Sequence, residues 1–409
     1  MQSTVLELLR CPFCGGRLTL HDSRAAHSSV QRAGILCCEC CAYPMVEGIP
    51  YLRTSAAAET AMRLLGEEKN EAALFTLLGL SEEQRGPFKE LLQRERPATF
   101  RECLAFLCPG PEGDYLFHRF SDPTFLCSQV VGRALAQDRR SMAGRVLDVC
   151  GGTGHLTRSL CECTDNVVLA DLSFAKLWLA KRFIAPRCQP VCCDAGEPLP
   201  FAPGTFSLVF CSDAFHYVWR RRLLAGEMTR LLADDGTIAL THLHNLLGEN
   251  VSAGMPLTPA GYRELFRGLD TRITKESDVF EGVLARKPLD LSAGCTDEEL
   301  GNEAALVLVA TRRPDRFRVY ECGANHQTRR PLARNPLYAV EQEDDGEVWT
   351  LQFPSAGYEL EYSSSRRYLP PTARLTVQDL DGLRRGCLED KLKALHSRHV
   401  LLDLPECYE

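Results

Sequence analysis

Three features of the middle of the chain predict an α/β fold with a mostly parallel, doubly wound sheet. The stretch GRVLDVCGGTGHLTRSL contains a short apolar run, a glycine turn and a helix-like segment, in that order. Two further apolar runs each end in an acidic residue, Asp171 in NVVLADL and Asp194 in PVCCDAG, and a fourth run, FSLVFCS, follows them. Strands that alternate with helices form parallel sheets, so we expect a ligand site at the carboxyl ends of these strands.

Composition and charge limit the classes of function. The 409 residues are enough for two or three domains, and 45% apolar with 25% charged residues is ordinary for a globular protein. A formal net charge of −7 argues against nucleic acid as a partner. The start, MQSTVLELLRCPFC, lacks a signal-peptide pattern, and no apolar run approaches the roughly 18 residues of a membrane helix. We therefore expect a cytoplasmic protein without membrane insertion, in which disulfides among its 20 cysteines are unfavourable.

The N-terminal segment predicts a zinc ribbon. The motif CPFC has C-x-x-C spacing, and CCECC follows after a polar, hairpin-like stretch, HDSRAAHSSVQRAG. Two such knuckles form a tetrahedral four-sulfur site for Zn²⁺. Two registers of the second knuckle fit, and the alternative pair, Cys38 and Cys41, stays open. The ligand set that we favour is Cys11, Cys14, Cys37 and Cys40.

This segment also resembles a known family. LELLRCPFCGG together with AYPMVEGIPYL is similar to the small zinc-ribbon activators that partner transfer-RNA methyltransferases, over roughly residues 3–53. The resemblance implies a ribbon domain at 1–54. The residues that it assigns to the strand that closes the ribbon are Tyr43, Pro44, Gly48, Ile49 and Pro50. The interval between the second cysteine pair and Tyr43 is shortened here, which is why the metal register is open.

Residues 55–112 are predicted to form a helical connector. The segment is rich in Ala, Leu, Glu and Arg with helix-like apolar spacing, and Ser81 with Gln84 offers a capping box. The next stretch, YLFHRFSDPTFLCSQVVGRAL, predicts a helix just before the sheet. Its His118 and Arg119 are expected at solvated positions rather than in contact with a cofactor or substrate.

The glycine turn distinguishes between two classes of cofactor. A dinucleotide fingerprint needs a third glycine, but Thr157 stands at that position. The turn fits the D-x-G-x-G-x-G loop of class I S-adenosylmethionine methyltransferases better, with Asp148, Cys150, Gly152 and Gly154 in its places. Cys150 replaces the usual glycine. A thiol is small enough for binding, but we expect that this position cannot easily take a positive φ.

The resemblance to these methyltransferases covers residues 113–313 and implies a Rossmann-like, seven-stranded sheet. It is closest to the branch that includes the ubiquinone and menaquinone biosynthesis enzymes. It implies that Asp171, 23 residues after Asp148, binds the ribose hydroxyls and that Asp194 binds the adenine amino group. The segments DVFEGVLAR and AALVLVATR are expected to be the closing antiparallel pair. The predicted cofactor-binding residues are Asp148, Cys150, Gly151, Gly152, Gly154, Asp171, Leu172, Asp194, Ala195 and Cys211.

Candidate catalytic residues follow the fourth and fifth strands. Methyl transfer from a sulfonium requires alignment and desolvation, and an oxygen or nitrogen nucleophile also needs a base. His216 lies just beyond the fourth strand and is our catalytic candidate, while a packing or substrate-shaping role is the alternative. His242 and His244, in THLHN after the fifth strand, are further candidates. All three lie where ligands bind in open α/β sheets.

Residues 314–409 predict a small α+β region without a catalytic signature. EDDGEVWTLQF and YELEYSS are predicted strands, and VQDLDGLRRGCLEDKLKALHSRHVLLDLP is predicted to be mostly helical. The function that the whole pattern favours is S-adenosylmethionine-dependent methyl transfer to a small molecule, natural-product or quinone-like. The alternatives are an RNA methyltransferase and a non-catalytic scaffold that binds S-adenosylmethionine. The sequence does not specify the oligomeric state.

Overall fold

A computed structural model describes residues 3–21, 32–137, 144–251, 254–321, 332–387 and 389–409 of the chain. The hairpin-like loop expected between the two cysteine motifs lies mostly outside these residues. No helix within the described ranges is long and apolar enough to cross a membrane.

The N-terminal module is a four-stranded antiparallel sheet in the order β1–β2–β3–β4. Its elements are α1 (Ser3–Leu6), β1 (Thr19–His21), β2 (Gly34–Cys37), β3 (Ala42–Val46) and β4 (Ile49–Pro50). β3 and β4 are joined by a two-residue turn, Glu47 and Gly48, whose φ angles of 53° and 74° are those of a tight hairpin. The residues expected to close the ribbon therefore lie in β3, in β4 and in the turn between them.

Helices connect this module to the central sheet, as the sequence predicted. They are α2 (Ala56–Gly66), α3 (Asn70–Leu77), α4 (Glu82–Gln93), α5 (Phe100–Leu107), α6 (Pro111–His118) and α7 (Pro123–Ala136), with a 3₁₀ turn at Arg119–Ser121. The predicted capping box is present at the start of α4, where Ser81 and Gln84 satisfy each other's backbone N–H groups.

The central sheet has seven strands in the order β10–β12–β9–β8–β5–β6–β7. Its strands are β5 (Val146–Val149), β6 (Val167–Asp171), β7 (Gln189–Cys192), β8 (Phe206–Ser212), β9 (Leu232–His244), β10 (Asp270–Lys275) and β12 (Ala305–Thr311), while β11 (Leu289–Asp290) lies outside the sheet. The intervening helices are α8 (His155–Cys163), α9 (Phe174–Leu179, continued by a π turn at Ala180–Ile184), α10 (Arg221–Leu231), α11 (Pro259–Leu265) and α12 (Glu276–Leu284), with a 3₁₀ turn at Phe215–Tyr217. β5 to β9 are parallel and β12 is antiparallel to its neighbours, which confirms the predicted seven-stranded α/β fold.

Two apolar cores cover the two faces of this sheet. Alternate residues of a strand point to opposite faces, so Val146 belongs to one core and Leu147 to the other. The first core contains residues of α7, α8 and α9 together with the connector helices. The second contains residues of α10 and α11 together with the N-terminal module. Both faces are therefore buried, which is the arrangement that parallel sheets require.

Two predicted strands are helices in the structure. DVFEGVLAR falls in α12, and the strand that pairs with β12 is β10, just before it. YELEYSS falls in α13 (Ala356–Tyr362) and the 3₁₀ turn that follows. Short segments that mix apolar and charged residues fit either period, and their packing against the sheet decides between helix and strand.

The C-terminal region packs on the helices that precede the central sheet. Its elements are β13 (Val319–Tyr320), β14 (Ala333–Arg334), β15 (Tyr338–Glu343), β16 (Gly346–Leu351), α13, β17 (Thr372–Thr376), α14 (Val377–Arg384), α15 (Asp390–Ser397) and β18 (Leu401–Leu402), with 3₁₀ turns at Pro314–Arg316 and Ser363–Arg367. The hydroxyl of Tyr368 donates to the carbonyl of Ser121 at 2.5 Å, and that of Tyr408 donates to the carbonyl of Phe117 at 2.7 Å. This region therefore holds α6 and α7 against the sheet.

The N-terminal module extends the central sheet beyond its edge strand. The residue after β4, Tyr51, forms a parallel bridge with Cys192 of β7, and the Leu52 N–H donates to the Cys192 carbonyl at 2.7 Å. Leu9 forms an antiparallel bridge with Phe201 a few residues after β7. The carboxyl end of β7 is therefore paired within the chain, which covers part of this strand edge.

The packing at this junction predicts a strong effect of truncating Leu9. Its side chain is completely buried in the second core, so Leu9→Ala should lower the free energy of unfolding by about 2–5 kcal/mol. Phe13 is 57% exposed, and Phe13→Ala is the control, with an expected change within about 0.5 kcal/mol. Urea unfolding followed by circular dichroism measures both. Equal stability of the two variants would contradict the proposed burial of the module against the sheet.

Candidate functional site

The carboxyl edge of the sheet brings together most of the residues predicted to bind a cofactor. Asp148 lies within β5 and Asp171 ends β6. Asp194 follows β7 by two residues, and Cys211 is the penultimate residue of β8. Because these strands are parallel, their carboxyl ends lie at one edge, beside the glycine turn after β5.

The glycine turn packs tightly against the sheet at Gly151, where a side chain would not fit. At Gly152 the turn faces open space. A Cβ atom at Gly151 would lie 2.4 Å from Cδ1 of Leu169 and 2.6 Å from a carboxylate oxygen of Asp148. A Cβ atom at Gly152 would meet no atom within 4 Å, and Gly152 has φ 57°. Gly154, with φ 80°, is the N-cap residue directly before α8. The backbone at Gly152 can therefore approach a ligand closely.

Cys150 has the conformation that the sequence was expected to disfavour. Its φ is 58°, in the left-handed region, so the expectation that a cysteine would not adopt a positive φ here is wrong. Such a conformation costs an L-residue roughly 1–2 kcal/mol. The Cys150 thiol is hydrogen-bonded to that of Cys211, and this contact, together with burial, raises the pKa of Cys211 well above its usual range. Surrounding contacts therefore hold the turn in the shape that glycine usually provides.

Asp171 is tied to the turn that it faces. Its Oδ2 accepts the Gly152 N–H at 2.9 Å and its Oδ1 accepts the Ser173 N–H at 2.8 Å, while burial raises its pKa. Each carboxylate oxygen keeps a second acceptor site, so this side chain can accept further hydrogen bonds from a ligand.

The carboxylate of Asp148 lies directly beside the turn, next to Gly151. Its Oδ2 accepts the hydroxyl hydrogen of Thr157 at 2.6 Å, and burial raises the pKa of Asp148 to about 7. Its buried Oδ1 has no hydrogen-bond partner among the described residues. Asp148 therefore has one carboxylate oxygen that binds Thr157 and one that the described residues leave unpaired.

The remaining predicted cofactor residues lie on the outer part of the same edge. Asp194 accepts the Gly196 N–H at 2.7 Å, and Ala195 is buried. Leu172 is 48% exposed, and its carbonyl accepts Nη1 of Arg53 at 3.0 Å. A side chain from the end of the N-terminal module therefore reaches the loop that follows Asp171.

The three candidate histidines meet in a second cluster, which we call the histidine cluster: Asp213, His216, His242 and His244. His216 and His244 stack face to face with ring centroids 3.6 Å apart, and the His242 ring lies 5.2 Å from that of His244. Asp213 follows β8 directly and offers a carboxylate oxygen within 4.8 Å of a ring nitrogen of both His216 and His244. The sequence predicted the three histidines as candidates but not Asp213. Its position directly after the predicted strand FSLVFCS was the signal that could have identified it.

His242 forms an ion pair that the sequence did not reveal. Its Nδ1 lies 2.7 Å from Oε2 of Glu276, and its backbone N–H donates to Oε1 of the same side chain at 3.0 Å. Burial alone would lower the pKa of His242, but Glu276 and Asp213 raise it to about 9. His242 is therefore an imidazolium at neutral pH. Glu276 starts α12, the helix that contains most of DVFEGVLAR, which was predicted to be a strand.

His118 and Arg119 are buried, which contradicts the expected solvated positions. Arg119 donates to both oxygens of Asp122 at 3.0 and 2.9 Å, and its Nη2 lies 3.6 Å from Oδ2 of Asp213. The Tyr115 hydroxyl donates to the same oxygen at 2.8 Å. Burial alone would raise the pKa of Asp213, but His242 and Arg119 lower it, so this side chain is a carboxylate.

His216 and His244 are in the neutral form. Burial, as the largest cause, lowers the pKa of His216 to about 3 and that of His244 to about 4. Nε2 of His216 and Nδ1 of His244 are buried and have no hydrogen-bond partner among the described residues. A pKa near 3 makes His216 a weak proton acceptor, although it occupies the position expected for the base.

The cysteine motifs converge on one group of thiols, but not in the preferred register. The Sγ atoms of Cys11, Cys38, Cys40 and Cys41 all lie within 4.8 Å of one another. The Sγ of Cys14 lies 3.7 Å from that of Cys38, close to the roughly 3.8 Å between sulfurs around a tetrahedral zinc ion. This thiol group therefore contains Cys38 where Cys37 was expected. Cys37 is the last residue of β2, paired with Ala42, and successive side chains of a strand point to opposite faces.

Cys11 is held in a form that suits metal binding. Burial would raise its pKa, but the Tyr43 hydroxyl, 3.3 Å from Sγ, and the backbone N–H groups of Phe13 and Cys14 lower it to about 6. A thiolate is the form of cysteine that binds zinc.

Comparison with known proteins identifies the central segment. Residues 146–236 match the model of the family described as Methyltransferase domain. This segment, from β5 into β9, is therefore similar to that family. Demethylmenaquinone methyltransferase of Corynebacterium urealyticum is 34% identical over 96 residues, which are 24% of this chain and 40% of that protein. The chain thus spans less than half the length of this relative.

Two solved structures of low identity each align with less than half of the chain. One is from the complex between the Haloferax volcanii Trm112 methyltransferase activator and a methyltransferase, with 19% identity over 45% of this chain and 88% of that chain, at a TM-score of 0.34. Another is geranyl diphosphate C-methyltransferase of Streptomyces coelicolor, with 16% identity over 41% of this chain and 69% of that chain, at a TM-score of 0.32. The strand order itself, described above, carries the fold assignment.

The ion pair of His242 predicts a pH-dependent contribution to stability. Because its pKa is raised from 6.5 to about 9, the contribution is complete below pH about 6.5 and is lost as the pH rises through about 9, at no more than about 1.4 kcal/mol per pKa unit. The free-energy gap between the wild type and His242→Gln should therefore be larger near pH 6 than near pH 10. Urea unfolding at both pH values measures it, and a constant gap would contradict the assignment.

Proposed function

We propose that this protein is an S-adenosylmethionine-dependent methyltransferase that acts on a small molecule. The observation that carries the proposal is the open glycine turn after β5, which faces Asp171 on one side and the strand that leads to the histidine cluster on the other. The carboxyl end of β5 thus offers a site for the cofactor. The segments after β8 and β9 offer polar groups that can hold an acceptor. Catalysis of methyl transfer needs this juxtaposition above all.

The residues of the turn fit S-adenosylmethionine, which supplies an activated methyl group on a sulfonium. Asp171 would accept hydrogen bonds from the ribose hydroxyls. Asp194 would bind the adenine amino group, while the backbone of Ala195 and the side chain of Leu172 line the adenine. The free Oδ1 of Asp148 would accept a hydrogen bond from the amino acid part of the cofactor. Cys150, Gly151, Gly152, Gly154 and Cys211 would form the floor of the site.

The histidine cluster would form the acceptor site. The imidazolium of His242 would stabilise an acceptor oxygen on which negative charge develops. The neutral rings of His216 and His244 provide a buried, weakly polar wall that excludes water. We therefore assign His216 to the acceptor site and give the charge-stabilising role to His242.

Several features support a small and partly apolar acceptor, natural-product or quinone-like. Exposed apolar side chains lie on the two segments that follow β8 and β9, and the Tyr217 ring contacts His216 at 4.2 Å. The exposed fractions are 46% for Tyr217, 80% for Trp219, 58% for Leu246 and 51% for Leu247. The match to a demethylmenaquinone methyltransferase and the net charge of −7 favour such a molecule over RNA.

We further propose that the N-terminal module is a zinc ribbon of the activator type. Five thiols surround the site, and Cys11, Cys14 and Cys38 together with Cys40 or Cys41 would complete a four-sulfur shell. We also propose a cytoplasmic location, because a reducing compartment keeps thiol ligands available for zinc.

The acceptor class is tested with methyl-labelled S-adenosylmethionine and a host extract separated into RNA, protein and small-molecule fractions. We expect label in the small-molecule fraction, and at least about a hundredfold less with Asp171→Ala because that carboxylate would hold the ribose. Asp165→Ala is the control, since Asp165 lies in the turn before β6, away from the carboxyl edge. Label in RNA or protein alone would contradict the proposal, and binding of S-adenosylmethionine without transfer would favour the scaffold alternative.

The ribbon is tested by metal analysis and thermal unfolding. Cys11→Ser should lower the zinc content by about one ion per chain and lower the melting temperature, because structural zinc contributes folding free energy. Cys108→Ser is the matched control, because Cys108 is also buried but lies outside the thiol group. Wild-type protein with well under one zinc per chain, or unchanged stability in Cys11→Ser, would contradict the ribbon.

A further inference from the structure

We propose that Arg221 and His216 bind a carboxylate group of the acceptor, so that the acceptor is an organic anion. The assignment to an acceptor rests on the proposed methyl transfer, while the carboxylate site itself stands on the two side chains. Each of them has a buried nitrogen without a hydrogen-bond partner among the described residues.

The neutral ring of His216 carries its proton on Nε2. The backbone N–H of His244 donates to Nδ1 of His216 at 3.5 Å, so Nδ1 is the acceptor nitrogen. A neutral imidazole has one donor and one acceptor nitrogen, and the hydrogen is therefore on Nε2. Nε2 is buried, and the whole residue is 0% exposed. The ring thus presents a buried N–H donor for which the described residues offer no acceptor.

Arg221 presents a second donor of the same kind. It is the first residue of α10 and is half-buried, and its Nη1 is buried without a partner among the described residues. The preceding Arg220 forms an ion pair with Glu197 at 2.5 Å, whereas Arg221 has no ion pair with any carboxylate in the described ranges. A buried cation without a counter-ion is unfavourable, so a ligand that supplies a negative charge would stabilise this side chain.

The guanidinium of Arg221 lies beside the stacked rings of His216 and His244. Burial is the largest cause of the lowered pKa of His216, and the charge of Arg221 contributes to the same shift. Burial raises the pKa of Tyr262, and the charge of Arg221 opposes that shift. The Tyr262 hydroxyl in turn donates to the His244 carbonyl at 2.7 Å. The two unpaired donors therefore belong to one region of the acceptor site.

The folding of α10 does not account for an arginine at this position. The first N–H groups of a helix give its start a partial positive charge, which favours acidic residues there. α10 instead starts with Arg221 and Arg222 after the N-cap residue Arg220, and its first turn contains no acidic residue. An anion bound to Arg221 would reduce the repulsion between these charges.

The charges around the two donors favour an anion with a single negative charge. Arg221 supplies one positive charge and the ring of His216 is neutral. The carboxylate of Asp213 acts on the same ring, where its charge opposes the effect of burial on the pKa of His216, and it would repel a more highly charged anion such as a phosphate group. A carboxylate has two oxygens, one for each donor. The exposed rings of Tyr217 and Trp219 lie between the two residues in the chain, which suits an aromatic carboxylate.

Benzoate is the probe, and benzamide, a neutral molecule of the same shape, is the comparison. In the full chain with isotope-labelled histidine, a proton–nitrogen correlation spectrum should show His216 with its proton on Nε2, and the spectrum of His216→Gln assigns the signal. Benzoate should shift this signal in a saturable way, and benzamide should bind at least roughly tenfold more weakly because it lacks the charge.

Two neighbouring arginines provide the variant and its matched control. Arg221→Gln should weaken benzoate binding by at least roughly tenfold, because a charge-assisted hydrogen bond is lost. Arg222→Gln removes the same charge from the same helix turn, but Arg222 is exposed, so this variant should bind benzoate like the wild type.

The outcomes separate the carboxylate site from the proposed function. A His216 signal that benzoate does not shift, equal binding of benzoate and benzamide, or unchanged benzoate binding in Arg221→Gln would each overturn the carboxylate site. Circular dichroism shows whether Arg221→Gln is folded, and if it is not, the comparison of benzoate with benzamide on the wild type decides. S-adenosylmethionine binding is measured calorimetrically on the same samples, because its absence would overturn the proposed function while leaving the benzoate result intact.

Discussion

The parallel alignment of β5 to β9 is the constraint on which the candidate site depends. It places the carboxyl ends of five strands at one edge, so residues nearly a hundred positions apart, such as Asp148 and His244, lie at the same edge of the sheet. Both buried faces of the sheet follow from the same alignment, since a parallel sheet is stable only when helices cover it. The glycine turn and the histidine cluster are therefore consequences of one arrangement of strands.

The N-terminal module contributes to this arrangement from the side. The segment after β4 pairs with β7, and Leu9 bridges to Phe201, so the edge of the sheet nearest Asp171 is closed by the same chain. Arg53 then binds the carbonyl of Leu172, next to Asp171. A loss of the ribbon fold would thus disturb the loop that is proposed to line the adenine. Through this link, the proposed zinc ion would influence the proposed cofactor site indirectly.

Local patterns in the sequence were sufficient to predict the strands of the sheet, the capping box of α4 and the acidic residues at the strand ends. Each of these features is encoded within a few residues. The features that the sequence did not predict depend on packing between residues that are far apart in the chain. The C-terminal region covers α6 and buries His118, since Tyr358 contacts its ring and carbonyl. Glu276 meets His242 only because α12, mistaken for a strand, begins beside β9. The strand register of β2 selects Cys38 over Cys37, and contacts with Cys211 support the positive φ of Cys150.

The central claim is that the open space at Gly152 receives S-adenosylmethionine. Gly152 and Gly204 both have positive φ, 57° and 64°, and neither has an atom within 4 Å of an added Cβ, so alanine strains both positions alike. Calorimetric titration with S-adenosylmethionine compares the two substitutions with the wild type. We predict that Gly152→Ala weakens binding by at least roughly tenfold, equivalent to about 1.4 kcal/mol, while Gly204→Ala binds normally. Wild-type affinity in Gly152→Ala, or no binding by the wild type, would contradict the account.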